Sequence, residues 1–451
     1  MKQIGASDSI TTTLLQKTMA LAWRDGPRDL PLLIKQCVLD WLGVSIAAVT
    51  EPAVKILREE LEEQGGHPQA CVFGTSKRMS TQHAALLNGT ISHMLDYDDV
   101  NFAIPGHCSA PILAAVLALA EHLGAAGSEV MDAFLTGYET SCRIALLVAP
   151  GHYNRGFHAT ATIGSLGSAA ACARLMGLDR PSAARALGIA ATRSAGLKAM
   201  FGTACKPLHA GAAAATGQFA AALARRGFES REDALECAQG FVATHSPDFD
   251  VEAAFRDPDG GYHLCNNLFK FHAACYEAQS TIECGRRLRS AEGFLLDQVR
   301  TVRVRANSHC DEICNIAEPQ TGLETKFSLR AAAAFALAGV DTSRPAAFSN
   351  ANANSPPLKA IRDKVAVELT PDLALTESEM EIDVDGGEML REQHDSGMPM
   401  EDCEAQGRRV ASKFQSLVAP ILGSDRSRSI AARVSGLELL SDLGDLMRLC
   451  I

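Results

Sequence analysis

The sequence predicts a mainly α-helical protein: a large all-α domain built from both ends of the chain, with a smaller α+β lid domain inserted between them. Three observations support this prediction. The chain has 451 residues, which is more than one ordinary hydrophobic core accommodates. Hydrophobic residues make up 47% of it and aromatic residues only 5%, and the many Ala-rich runs suit closely packed helices. Alternating apolar and polar residues, which are typical of strands, begin only after about residue 295.

Apolar residues at helical spacing, separated by Gly, Pro or Asp, predict a series of helices in the first 265 residues and no strand. The predicted helices cover 31–49, 53–64, 81–95, 109–123, 128–148, 160–176, 181–194 and 209–226.

The second half of the chain predicts the inserted domain. Alternation predicts strands at 298–306, 365–370 and 379–384, and Asp385-Gly386-Gly387 supplies a hairpin turn. A helix is predicted at 326–339, and helices return at 400–418 and 427–441. We therefore expect an α+β lid domain at 266–394 and an all-α domain at 1–265 and 395–451. An inserted lid implies a cleft, where small ligands usually bind.

Composition excludes several functional classes. A net charge of −11 without a basic tract argues against a nucleic-acid partner. The fourteen cysteines are scattered, and Cys310 and Cys314 with His309 lack the spacing of a four-ligand metal site, so we expect buried, reduced thiols. The N-terminus lacks an apolar signal core, and we see no run of eighteen apolar residues, so we expect a cytoplasmic protein with no membrane partner.

An acidic cluster follows one of the predicted helices. Asp96, Asp98 and Asp99 stand at its end, and His107 follows before a new helix with Ser109 as its expected N-cap. Carboxylates crowded at a helix C-terminus feel the negative end of the dipole and one another, so the pKa of at least one should rise. Such a group suits general acid–base catalysis, although a solvated acidic helix end is the alternative.

Three predicted helix starts carry a histidine or a lysine. His107 and His158 each precede a predicted helix. Lys206 precedes another that begins around Leu208, with His209 on its first turn. Free backbone N–H groups with an adjacent cation form a site for carboxylate or phosphate. The absence of a Gly-rich phosphate loop favours a small polycarboxylate.

Further cleft residues are less specific. Lys270 stands between apolar neighbours at the boundary of the two predicted domains, which indicates partial burial. The segment GHYNRGFH contains Tyr153 and Arg155, which are candidates to line the cleft, Arg155 as a carboxylate clamp. His152 in the same segment more simply caps the preceding helix.

Six motifs in chain order identify a family. They are LNGTISHMLDYDDV followed by GHCSAP, then GFHATATIGSLGSAAACARLMGL, KPLHAGAAAATGQFAAALARRGF, FKFHAACY and PQTGLETKFSL. Together they resemble the MmgE/PrpD superfamily, which includes 2-methylcitrate dehydratase, cis-aconitate decarboxylase and iminodisuccinate epimerase. The resemblance covers nearly the whole chain. It implies the two-domain fold described above, usually as a homodimer, and chemistry on small di- or tricarboxylates without a cofactor or a metal.

The resemblance also implies the site residues. By motif, the family's catalytic residues fall on Asp96, His107, His158, Lys206 and Lys270. Lys206 and Lys270 would bind carboxylates and stabilise enediolate-like charge. His158 or Asp96 would move the proton, and His107 would be the acid or an orienting partner. The predicted substrate-binding residues are Tyr153, Arg155, His209 and Gln279.

Three departures concern the substrate. Val100 stands where the decarboxylase has an active-site Thr, Gln279 stands where many members have a His, and one extra residue separates Asp96 from His107. The leading hypothesis is therefore a hydro-lyase of the 2-methylcitrate type. The alternatives are an epimerase or isomerase of the iminodisuccinate type, then a cis-aconitate-type decarboxylase. Outside the enzymes, the alternative is a carboxylate-binding protein without catalysis.

Overall fold

The computed structural model describes residues 9–385 and 389–451, which form two compact units. The first unit comprises residues 9–94, Asp98–Phe269 and Asp402–Ile451. The second unit comprises Leu95–Tyr97 and the described residues of Lys270–Glu401. The acidic cluster is thus divided, with Asp96 in the second unit.

Helices dominate the described chain, which confirms the prediction of a mainly helical protein with a small sheet. The helices are α1 (Ile10–Thr18), α2 (Leu30–Ala48), α3 (Pro52–Gln64), α4 (Thr81–His93), α5 (Ser109–Leu123), α6 (Gly127–Leu147), α7 (Gly151–Asn154), α8 (Ala159–Leu175), α9 (Arg180–Ala191), α10 (Cys205–Arg225), α11 (Phe241–His245), α12 (Val251–Phe255), α13 (Gln279–Arg289), α14 (Cys310–Cys314), α15 (Gly322–Thr325), α16 (Leu329–Ala338), α17 (Asn350–Ala353), α18 (Pro356–Arg362), α19 (Cys403–Leu422), α20 (Ser424–Ser435) and α21 (Gly444–Met447). The strands are β1 (Ala70–Cys71), β2 (Arg78–Met79), β3 (Val299–Asn307), β4 (Val365–Thr370), β5 (Glu377–Val384) and β6 (Leu390–Asp395).

The first unit is not entirely helical, so the prediction of no strand in the first 265 residues is wrong in one detail. Strands β1 and β2 pair antiparallel through two residues each. Such a short ribbon leaves no alternating pattern in the sequence, because two residues are too few to show a period.

Helix α2 corrects the expectation that no apolar run is long enough to span a membrane. By length and composition alone it could, and it is the one helix among the described residues that passes this test. However, 78% of its apolar window is buried inside the protein, as in a core helix. Trp41 on this helix donates a hydrogen bond from its indole N–H to the Ala110 carbonyl, 3.2 Å away.

The second unit contains a four-stranded sheet in the order β4-β3-β5-β6. Strand β3 pairs parallel to β4 and antiparallel to β5, and β5 pairs antiparallel to β6. Val302, Val304, Met380 and Ile382 are buried against one another and against helices α13 and α16. The three predicted strands are confirmed, whereas β6 was not predicted because LREQHD at the sheet edge is too polar to alternate. Gly386 and Gly387 of the predicted turn lie outside the described residues.

A close helix crossing holds the part of the first unit that carries the predicted site. Helices α4 and α10 meet at Gly89 and Gly211, where a Cβ added to Gly89 would lie 2.8 Å from the Gly211 Cα. A Cβ added to Gly211 would lie 2.0 Å from the Leu86 carbonyl oxygen. Only glycine permits this approach. It places the C-terminus of α4, with His93, beside the start of α10, with Lys206 and His209.

We expect Gly211→Ala to destabilise the protein. Alanine would favour the helix by about 1 kcal/mol, but overpacking costs about 1–3 kcal/mol and the clash is with a backbone carbonyl, which cannot rotate away. The steric effect should therefore prevail and lower the free energy of unfolding, measured by urea titration. Gly436→Ala is the control, because its nearest heavy atom would be 3.8 Å away. A Gly211→Ala variant as stable as the wild type would contradict the crossing.

Candidate active site

Asp98 is the centre of a buried cluster in the first unit. The Nδ1 atom of His93 lies 3.0 and 3.1 Å from the two Asp98 carboxylate oxygens. The Nδ1 atom of His107 lies 3.0 Å from Asp98 Oδ2. The side chains of Asp98 and His93 are fully buried, and that of His107 is 8% exposed. One carboxylate therefore holds two imidazoles, whose rings meet edge to face with centroids 4.4 Å apart.

The adjacent carboxylates Asp98 and Asp99 have opposite electrostatic environments. Burial by itself would raise the pKa of Asp98, but His107 and His93 hold it well below the ordinary range. Burial raises the pKa of Asp99 to about 7, and the nearby Asp40 carboxylate adds to the effect. The expectation that one carboxylate in this cluster has a raised pKa is confirmed for Asp99, although burial, rather than the helix dipole, is the main cause.

Two further histidines, His158 and His209, extend the cluster on the other side of His93. The ring of His158 stacks on that of His93 with centroids 6.0 Å apart, and the Nδ1 atoms of His158 and His209 are 3.1 Å apart. Burial lowers the pKa of His158, and His93 and Lys206 lower it further. Burial also lowers the pKa of His93, as do His107 and Lys206, although Asp98 opposes them. Lys206 therefore acts electrostatically on the same cluster, where it disfavours the charged forms of His93 and His158.

Two predicted helix starts need correction. Helix α10 begins at Cys205, so Lys206 lies within its first turn and not before it. Helix α5 has Cys108 and not Ser109 as its N-cap, and Ser109 Oγ donates instead to Asp99 Oδ2 over 2.6 Å. The sequence favoured Ser109 because serine is a preferred N-cap, but here its hydroxyl is hydrogen-bonded to the buried Asp99 carboxylate instead of to the helix backbone.

His107 and His158 do stand immediately before helices. His158 is the N-cap of α8, without a side-chain capping bond. The backbone N–H of His107 donates to Thr160 Oγ1 over 3.0 Å, which docks the turn before α5 on the start of α8. A Cβ at the preceding Gly106 would lie 2.7 Å from the same hydroxyl oxygen, so the turn requires glycine there.

Asp96 and Lys270 meet within the second unit. Lys270 Nζ donates to the Asp96 carbonyl oxygen over 2.7 Å and lies 3.2 Å from its Oδ1. Lys270 is 2% exposed, so the predicted partial burial is confirmed. Asp96 has a φ of 51°, in the left-handed region that residues other than glycine rarely adopt. Such backbone conformations cluster at functional sites, where the surrounding contacts maintain them.

The predicted substrate-binding residues have different surroundings. His209 is part of the imidazole cluster. Tyr153 lies under Lys198, whose Nζ is 3.5 Å from the ring centroid. Arg155 is exposed and donates to the Thr244 carbonyl over 3.3 Å. Gln279 is buried, and its side-chain amide is hydrogen-bonded to the backbone of the segment after Lys270. Its Oε1 accepts from the backbone N–H of His272, with 3.0 Å between the nitrogen and the oxygen. This placement favours a supporting role for Gln279 over substrate binding.

His152 is a core residue, whereas we expected it to cap the preceding helix. It is buried, its Nε2 lies 2.9 Å from Thr162 Oγ1, and its ring stacks on Phe157. Burial lowers its pKa to about 4, so it is neutral at physiological pH.

The cluster also offers metal ligands. Donor atoms of His93, Asp98 and His107 lie within 4.8 Å of one another. Imidazole and carboxylate ligands suit Zn²⁺ and similar divalent ions. Distances of 3.0 and 3.1 Å are equally those of hydrogen bonds. That the protein needs no metal stays a prediction.

Two residues of the cluster were missed as site residues. His93 lies on an apolar helical run, where a lone histidine is more often a core residue than a functional one. Asp98 was recognised only as one of three carboxylates. The spacing of His93 and Asp98, five residues apart across a helix end, is the only signal in the sequence, and it does not show that His107 joins them.

Comparison with known families decides the relationship. The MmgE/PrpD N-terminal domain matches residues 13–254, and the MmgE/PrpD C-terminal domain matches residues 272–439. The chain belongs to the MmgE/PrpD family. The resemblance drawn from the motifs is thus confirmed.

Among MmgE/PrpD proteins, the chain is similar to several cis-aconitate decarboxylases. It is 24% identical to that of Aspergillus terreus, with 98% of this chain and 96% of the relative covered. It is 26% identical to the human protein, with coverages of 90% and 87%, and 25% identical to the mouse protein, with coverages of 92% and 88%. Membership and likeness together support an activity of the lyase type.

We expect Asp99→Asn to change how stability depends on pH. Because the folded state raises the pKa of Asp99 to about 7, it binds more protons than the unfolded chain between about pH 4 and 7. The wild-type contribution of Asp99 to the free energy of unfolding should then fall as pH rises through this window, by up to about 1.4 kcal/mol per pH unit. Asparagine does not titrate, so the variant should gain stability relative to the wild type.

Urea unfolding at several pH values between 4 and 7 measures this difference. Asp425→Asn, at a carboxylate whose side chain is 98% exposed, is the control and should give a much smaller change with pH. A stability difference for Asp99→Asn that stays constant across the window would show that Asp99 is ionised in the folded protein.

Proposed function

We propose that this protein is a lyase that acts on a small di- or tricarboxylate, without a cofactor, by moving a proton on a carbon next to a carboxylate. The crowding of basic groups around Asp98 carries this proposal. His107 and Lys206 lie close enough to lower the pKa of the His93 and His158 imidazoles, and His93 lowers that of His158 as well.

A bound polycarboxylate would reverse this repulsion. Each substrate carboxylate near the cluster favours the charged form of the imidazoles and offers Lys206 an anionic partner. Substrate binding should therefore be coupled to proton uptake. A scaffold would gain nothing from burying His93, His107 and His158 beside Lys206, which supports catalysis over a purely structural role.

The same groups suit proton transfer. Because burial keeps His93 and His158 neutral, they can accept a proton from the carbon next to a carboxylate. Lys206 would stabilise the enediolate-like charge that develops as this proton leaves. The roles of Asp96 and Lys270, which meet in the second unit, stay those that the family resemblance implies: proton transfer and carboxylate binding.

Two reactions deserve the first assays. Similarity to cis-aconitate decarboxylases favours decarboxylation of cis-aconitate or a close analogue. Dehydration of a 2-methylcitrate-type substrate is the second candidate, and Val100 favours it. This residue stands where the decarboxylase has a Thr. It is 7% exposed, and its hydrogen bonds to Leu268 are made by the backbone. Its side chain has no hydroxyl group to offer a substrate.

The test is turnover of four substrates in deuterated water, followed by proton NMR: cis-aconitate, 2-methylcitrate, citrate and iminodisuccinate. Release of carbon dioxide would identify a decarboxylase, and loss of water to an alkene would identify a dehydratase. Deuterium uptake without a new carbon skeleton would identify the epimerase alternative and overturn the lyase proposal. No turnover of any of the four would favour a non-catalytic carboxylate binder.

We expect Lys206→Ala to lower kcat/KM on the active substrate by about 10- to 150-fold. This range corresponds to the loss of one charge-assisted interaction of about 1.5–3 kcal/mol. Lys55→Ala is the matched control, because Lys55 is an exposed lysine with a side chain that is 67% exposed. Circular dichroism would verify that both variants fold. Full activity of folded Lys206→Ala would remove Lys206 from the site.

A further inference from the structure

We propose that Asp98 is a positioning residue that fixes both His93 and His107 with a proton on Nδ1, so that each imidazole presents Nε2 as its proton-accepting atom. The proposal rests on the proposed function and extends it. It names the atom of His93 and of His107 that would take the substrate proton, and the residue that prepares it.

The tautomers follow from the hydrogen-bond chemistry of the cluster. An ionised carboxylate can only accept hydrogen bonds. The Asp98 side chain is fully buried, and its two oxygens lie 3.0–3.1 Å from the Nδ1 atoms of His93 and His107, so this carboxylate is placed to accept hydrogen bonds from both rings. The His93 Nδ1 hydrogen-bonds both oxygens, and the His107 Nδ1 makes a close ion-pair contact of 3.0 Å with Oδ2. A nitrogen without a proton would turn its lone pair towards the carboxylate at these distances, so we infer a proton on each Nδ1. In a neutral imidazole the proton on Nδ1 leaves Nε2 unprotonated.

The second observation concerns the Nε2 atom of His93. This atom is buried and has no hydrogen-bond partner among the residues that the structure describes. A buried polar atom without a partner is costly, and such atoms in native proteins call for a functional explanation. The ring lies between those of His107 and His158, so its free nitrogen belongs to the cluster and not to the helix packing.

The arrangement also stabilises the protonated state. When Nε2 of either imidazole takes a proton from the substrate carbon, the ring becomes a cation next to Asp98 at hydrogen-bond distance. The electron pair of the broken C–H bond stays on the substrate, where Lys206 can stabilise it. Asp98 itself keeps its charge throughout, so it acts through the two histidines and is not itself a catalytic residue.

The tautomers can be measured directly in the wild-type protein. In protein labelled with ¹⁵N-histidine, long-range proton–nitrogen NMR distinguishes the Nδ1–H form from the Nε2–H form, and His93→Gln and His107→Gln assign the two residues. We expect the Nδ1–H form for both in the wild type. An Nε2–H form for either residue would overturn the proposal. The proposal would also be overturned if the Nδ1–H signals were missing because a divalent ion was bound, and appeared only after a chelator removed the ion.

Asp98→Asn provides the second test. The asparagine amide can accept from one imidazole but must donate to the other, which forces that ring into the Nε2–H form. We expect one tautomer to switch and kcat to fall roughly 10²–10⁴-fold, with KM changed much less. Asp99→Asn is the matched control, because Asp99 bonds Ser109 and not the imidazoles. It should leave both tautomers unchanged.

These measurements separate this proposal from the proposed function. The expected tautomers in a protein that turns over none of the four substrates would support the positioning by Asp98 and count only against the lyase activity. Turnover together with an unchanged kcat in folded Asp98→Asn would overturn the positioning and leave the lyase standing. The Asp98→Glu variant restores the negative charge, so a kcat higher than that of Asp98→Asn would support the positioning role of Asp98.

Discussion

The Asp98 carboxylate is the group on which the arrangement of the candidate site depends. A fully buried charge is costly unless it is paired and hydrogen-bonded. Hydrogen bonds from His93 and a close ion-pair contact with His107 meet this requirement, and they can do so only if α4 ends at His93 and the turn before α5 brings His107 back beside Asp98. The need to satisfy one carboxylate therefore fixes where two segments of the chain come together.

The helices around this carboxylate are held by equally specific contacts. Gly89 and Gly211 let α4 and α10 approach closely, and Thr160 receives the backbone N–H of His107. Deeper in the first unit, Lys413 of α19 pairs with Asp40 of α2 over 2.6 Å, with both side chains buried. Through this pair, the C-terminal part of the chain reaches the environment of Asp99, whose pKa Asp40 raises.

Asp98 and Asp99 show how environment assigns different roles to one residue type. Both are buried, so both meet the same desolvation cost. Asp98 faces two imidazoles and stays ionised, whereas Asp99 faces the Asp40 carboxylate and a serine hydroxyl and holds its proton to about pH 7. Below about pH 7 the protein thus keeps an ionised carboxylate and a neutral acid side by side.

The sequence by itself determined the helical character, the three main strands, the family and the residue types of the site. These follow from local periodicity and from motifs that are contiguous in the chain. Tertiary structure decided three things that no local pattern contains. Lys206 lies inside α10, the polar strand β6 completes the sheet, and the Gln279 side chain is hydrogen-bonded to the backbone after Lys270. Tertiary structure also decided that His93 and Asp98 belong to the site, because their role depends on His107, which folding brings to the same carboxylate from fourteen residues beyond His93.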